Sequence, residues 1–154
     1  MSVAAARGIA ERVHACQVDE RGEPYINHVA RVAAGVPLFA RSVGWLQDVV
    51  GRSSVDESVL LAAGASPDES LALRLLSRDE GARSDDAYLE HVRVIALSAG
   101  VSGRIARAVK RADLLDHVAH RAVCSGGRPP PYGAALAMLM MVSATSHDAG
   151  PAWL

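Results

Sequence analysis

Apolar residues recur at three- and four-residue spacing along most of the chain, and clusters of Gly, Pro, Ser and Asp separate the runs. A first helix is predicted over residues 3–15, with Val3, Ala6, Ile9, Ala10, Val13 and His14 on its buried side. A polar loop then leads to a second helix over 24–34, with Pro24 at its first position, where the missing N–H costs nothing. Ile26, Val29, Val32 and Ala33 form its inner face and include His28, and Gly35-Val36-Pro37 stops it. A third helix is predicted over 38–50, carrying Phe39, Val43, Leu46, Val49 and Val50 inward. Ser54 or Asp56 caps a short helix to Ala63, and Ser66 caps the next, over 67–76. Further helices follow over 87–97, from Ser102 or Gly103 to about Ala122, and over 132–144, with Met138, Met140 and Met141 as core filler. Residues 77–86 and 125–131 read as exposed loops, and 145–154 as a loosely held tail.

Composition sharpens this into an all-α fold. Half of the 154 residues are hydrophobic and rich in Ala, Leu and Val, while bounded β-branched runs are scarce. The length suits one domain, 1–154, with a single core. A net charge of -1, with Lys110-Arg111 as the longest basic cluster, argues against nucleic acid or an anionic membrane as partner. Cys16 and Cys124 are too few and too isolated for a disulfide framework or a zinc site. The apolar run 136–142 is too short to span a bilayer, the first residues lack the apolar core of a signal peptide, and the cytoplasm is the expected location.

Chemistry enters where polar residues fall on apolar faces. His28 lies on the inner face of the second helix, Gln47-Asp48 interrupts Trp45-Leu46 and Val49-Val50, and Asp113 follows Ile105, Val109 and Ala112. Lys110 and His117 lie one turn to either side of Asp113. A His–Asp–Asp set with an open position describes a hard-metal hydrolytic site. The plainer readings are a core histidine bonded to a carbonyl, Asp48 paired with Arg41, Arg52 or Lys110, and Asp113 paired with Lys110 or Arg111. Tyr25 then serves packing, and His120 lies on the helix surface.

Four ordered pieces of the chain resemble the HD-superfamily hydrolases related to the RelA/SpoT hydrolase domain and the small alarmone hydrolases. Gly22-Glu-Pro-Tyr-Ile-Asn-His28 with Val32-Ala33 is similar to the family's "G-x-PYI-x-H-x-x-x-VA". His14-Ala-Cys-Gln17 resembles the preceding "H-x-x-Q", Leu46-Gln-Asp-Val-Val50 resembles "LHDVVED", and Val109-Lys-Arg-Ala-Asp-Leu-Leu-Asp-His117 resembles "VKLADLxDN". The resemblance implies a helical bundle of about seven or eight helices around one cleft. It also implies a manganese or other divalent ion held by His28, the pair at 47–48 and Asp113. The departures fall on the chemistry: Gln47 replaces a ligand histidine, Gly51-Arg52 replaces the Glu-Asp that handles water and protons, and His117 replaces an asparagine that helps bind nucleotide. An amide is a poorer ligand than imidazole, and Arg52 opposes a cation but suits a phosphate.

The leading expectation is an HD-domain protein related to alarmone ((p)ppGpp-type) phosphohydrolases, with metal and catalytic residues partly lost, weak or inactive as a hydrolase, and binding a guanine nucleotide through Lys110, Arg52 and His117. Two rivals stay open. One is an active metal-dependent phosphohydrolase whose replacement ligand is Gln47 or His117. The other is a structural or partner-binding helical domain with neither metal nor ligand.

Overall fold

A computed structural model describes residues 1–52, 55–78, 84–120 and 131–145. The side chains of 51–52 and 143–145 are outside this description, as are residues 79–83 of the predicted 77–86 loop, residues 125–130 of the predicted 125–131 loop and the tail beyond residue 145. The described residues form an all-helical bundle: α1 (Val3–Val13), α2 (Tyr25–Ala34), a 3₁₀ turn (Leu38–Ala40), α3 (Arg41–Leu46), α4 (Val49–Arg52), α5 (Glu57–Ala62), α6 (Pro67–Leu76), α7 (Asp85–Leu97), α8 (Gly100–Ala119) and α9 (Tyr132–Thr145). They contain no strand, only an isolated antiparallel bridge between Val18 and Pro24.

The long helix α8 is the axis of the bundle. Its 20 residues pack against α2, α3, α6, α7 and α9. Ile105, Ala106, Val109 and Leu114 of α8 join Val29 and Val32 of α2, Val43 and Leu46 of α3, Leu73 of α6, Val92 and Ile95 of α7 and Leu139 of α9 in one core. Gly44 lets α3 approach α2 closely, since a Cβ there would stand 3.1 Å from the Ala33 Cα.

Local chemistry explains the boundaries. Ser66 and Glu69 form a full capping box on α6: the Ser66 hydroxyl accepts from the Glu69 N–H at 3.2 Å, and the Ser66 N–H donates to the Glu69 carboxylate at 2.7 Å. Asp56 caps α5 by accepting from the Val59 N–H at 3.0 Å. Pro24 sits one residue earlier than predicted, with extended ψ as the N-cap of α2 rather than as its first helical residue. The predicted 38–50 helix is broken into the 3₁₀ turn, α3 and α4, and the second break falls at Gln47-Asp48. Aspartate is a poor helix-interior residue, and here its side chain is spent on a contact with another helix.

Other expectations fail for visible reasons. Phe39 is 47% exposed, with the Arg104 guanidinium 4.9 Å above its ring. Met140 and Met141 are exposed on the outer side of α9. Helix α8 begins at Gly100, not at Ser102 or Gly103, because the Ser102 hydroxyl is engaged by Asp68 of α6 at 2.7 Å. No helix among the described residues is long and apolar enough to cross a membrane.

Candidate metal and phosphate site

A short loop presents α2 to the rest of the bundle. Asp19 accepts from the N–H groups of Arg21 and Glu23 at 2.8 and 2.9 Å, and Gly22 takes φ +79°, which closes the turn before Pro24. The Tyr25 N–H donates to the Gln17 carbonyl at 2.9 Å. Gln17 in turn holds the buried His14 through its side-chain oxygen, 2.9 Å from Nδ1. One helical turn after Tyr25, His28 is directed at α8.

His28 is the centre of the site. It is 6% exposed, and both of its ring nitrogens face carboxylates. Nδ1 lies 2.8 Å from Asp116 Oδ2, and Nε2 lies 3.4 Å from Asp113 Oδ1 and 3.7 Å from Asp48 Oδ2. Burial disfavours the imidazolium, but Asp113, Asp116 and Asp48 outweigh it and raise the His28 pKa above its usual value.

Helix α8 supplies the opposing face. Asp113, Asp116, His117 and His120 follow i, i+3, i+4, i+7 spacing and so form one stripe. Asp113 is buried and divides its oxygens. Oδ2 accepts from Lys110 Nζ at 2.9 Å, while Oδ1 stands 3.2 Å from His117 Nε2 as well as facing His28. Burial alone would raise the Asp113 pKa, but Lys110, His117 and His28 hold it well below the ordinary carboxylate range. Lys110 is driven upward in the same way: Asp113 and the Tyr88 hydroxyl overcome its desolvation. Its ammonium lies 5.2 Å from the Tyr88 ring centroid.

Asp116 binds α8 to α2. Arg31 grips it with two bonds, Nε at 2.6 Å and Nη2 at 3.0 Å, and His28 makes a third contact. His120 is exposed, as read from sequence, and its Nδ1 lies 3.0 Å from Asp116 Oδ1.

Gln47 and Asp48 enter from the α3–α4 break. Gln47 Nε2 is 3.5 Å from both His28 Nε2 and Asp48 Oδ2. Asp48 Oδ2 accepts from the Tyr25 hydroxyl at 2.8 Å, so Tyr25 does more than pack, and among the described residues Asp48 faces Tyr25 and His28 rather than Arg41 or Lys110. Gly51 and Arg52 close α4, and their side chains lie outside the described residues.

The structure thus brings His28, Gln47, Asp48, Lys110, Asp113 and His117 into one side-chain cluster. Sequence reasoning missed Asp116, Arg31 and Tyr132. The α8 stripe spacing pointed to the first, and the i+3 relation to His28 pointed to the second. Tyr132, whose ring stacks on His117 at 4.5 Å and 8°, left no sequence signal.

The ligand set expected from the family resemblance fits a divalent ion only in part. His28, Asp48 and Asp113 offer suitable donors, whereas Gln47 brings a neutral amide, a weaker ligand than the imidazole it replaces. No protein-family model and no curated protein matches the chain.

Proposed function

We propose that this protein is an HD-type helical domain related to the alarmone phosphohydrolases, which binds a phosphorylated guanine nucleotide in the His28–Asp113 cleft and hydrolyses it weakly or not at all. The observation that carries this reading is the placement of Gln47. The resemblance assigns that position to a ligand imidazole, and the Gln47 amide lies 3.5 Å from both His28 Nε2 and Asp48 Oδ2. The same resemblance places the water-activating Glu-Asp at Gly51-Arg52, residue types that cannot accept a proton at neutral pH. Arg52 supplies positive charge suited to phosphate oxygens, while the Lys110 ammonium is committed to Asp113 at 2.9 Å. His28 and Asp113 are the residues that would hold a divalent ion, which when bound polarises a phosphoryl oxygen and acidifies water.

Calorimetric titration with guanosine 5′-diphosphate 3′-diphosphate, paired with a phosphate-release assay, tests the proposal. Saturable binding is expected, with turnover about 10²–10⁴-fold slower than in a variant carrying Gln47→His, Gly51→Glu and Arg52→Asp. Absence of binding, or wild-type turnover equal to that of the restored variant, overturns it. An active hydrolase with a modified metal centre is the second reading, and the position of His117 favours it.

A further inference from the structure

We infer that a divalent transition metal binds to His28 Nε2, Asp113 Oδ1 and His117 Nε2, with His117 in the ligand place that Gln47 leaves unfilled. The inference depends on the cleft being a ligand site, as proposed above, but not on whether hydrolysis occurs there.

Three features of the geometry carry it. The ligand atoms of His28, Asp113 and His117 all lie within 4.8 Å of one another. The two distances from Asp113 Oδ1, 3.4 Å to His28 and 3.2 Å to His117, match ligands sharing an ion. Bonds of about 2.0–2.2 Å place neighbouring ligands roughly 2.8–3.6 Å apart between octahedral and tetrahedral arrangements.

Each donor is also oriented from behind. Asp116 at 2.8 Å engages His28 Nδ1, so Nε2 is the nitrogen turned toward Asp113, the arrangement that supports ligand histidines generally. Lys110 occupies Asp113 Oδ2, so Oδ1 is the oxygen presented. Tyr132 of α9 stacks on His117 and holds its ring plane, with Nε2 toward Asp113.

The trio also has a route to solvent. His28 and Asp113 are buried while the His117 side chain is 35% exposed, so coordination positions on that side can take water or a phosphate oxygen. Two imidazoles and one carboxylate favour borderline ions such as Zn(II), Co(II), Fe(II) or Mn(II) over Mg(II) and Ca(II).

Co(II) is the probe, because its visible absorption reports nitrogen and oxygen ligation without any need for activity. Metal-stripped protein is titrated with Co(II), and stoichiometry is checked by elemental analysis after equilibrium dialysis. About one equivalent is expected. His117→Ala should weaken binding by at least about 100-fold, more than the loss of a group that merely supports a ligand. Gln47→Ala should leave affinity within about threefold of wild type. Circular dichroism confirms that each variant is folded, and His117→Gln serves if His117→Ala is not. No Co(II) binding by the wild type, or binding that survives loss of His117, overturns the inference. Nucleotide binding is measured separately on the same samples, so a cleft that takes nucleotide but no metal refutes this inference alone.

Discussion

Replacing Asp116 with alanine removes the acceptor that joins α2 to α8. The cost follows from its partners. A hydrogen bond involving a charged group contributes about 1.5–3 kcal/mol when desolvated, and an exposed ion pair about 0.2–1 kcal/mol. His28 and Asp116 side chains are 6% and 8% exposed, so their 2.8 Å contact is assigned about 2 kcal/mol. The Arg31 side chain is 35% exposed and regains water when released, so its two bonds together are assigned about 1 kcal/mol. Asp116→Ala should therefore destabilise the protein by about 3 kcal/mol, a fall of roughly 6–12 °C in Tm for a chain of this size. Urea denaturation followed by circular dichroism reads the change as a shift of midpoint at constant slope. Arg31→Ala alone should cost about 1 kcal/mol, and the His28→Ala/Asp116→Ala cycle should show coupling above about 1 kcal/mol. If Asp116→Ala loses no more than Arg31→Ala, the His28 contact contributes nothing and the account of the α2–α8 junction is wrong.

Asp116→Asn should in addition weaken Co(II) binding by about 10–100-fold while its far-ultraviolet circular dichroism stays native, since it acts on the metal through the orientation of His28. Gly103→Ala should destabilise by about 3 kcal/mol in thermal unfolding, because a Cβ there would overlap the Ser98 carbonyl, 2.5 Å from its carbon. Glu69 gives a pH signature. Burial pushes its carboxyl up, but the Met1 amine, the Ser42 hydroxyl and the Ser66 N–H prevail and hold its folded pKa below 4.5. Its ionised form therefore stabilises the fold above that value, and the benefit is lost as pH falls through the folded pKa. The stability gap between wild type and Glu69→Gln, measured by urea titration from neutral to acid pH, should be constant well above 4.5 and should shrink as pH falls through the folded pKa. A gap that widens on acidification would show that the sign is wrong.

The fold was largely legible because it is built from local signals. Ser66 caps the helix predicted to follow it, and the inner faces of α2 and α8 carry the apolar rows read from the sequence. The misreadings share a cause. Phe39 and Met140 are apolar residues at permissible helical positions, and only the arrangement of neighbouring helices decides that they face outward. The Gln47-Asp48 break was only weakly signalled, since one aspartate does not by itself stop a helix. Its Asp48 side chain is instead engaged by the Tyr25 hydroxyl, 23 residues away in the chain.

The site divides along the same line. Periodicity and the family resemblance singled out His28, Asp48 and Asp113, but neither ranks Gln47 against His117 as the replacement donor. That choice depends on which atom faces the shared oxygen of Asp113. His117 is a turn beyond Asp113 on the same rigid helix, so its ring needs no backbone change to reach Oδ1 at 3.2 Å. Gln47 sits in a turn between two short helices and brings only a neutral amide, a weaker ligand than imidazole. A donor fixed on α8 and braced by Tyr132 loses less freedom on coordination than one in the turn, and it brings the better ligand atom. Helix rigidity and ligand chemistry therefore favour the same residue, which is why Co(II) affinity should follow His117 and be indifferent to Gln47.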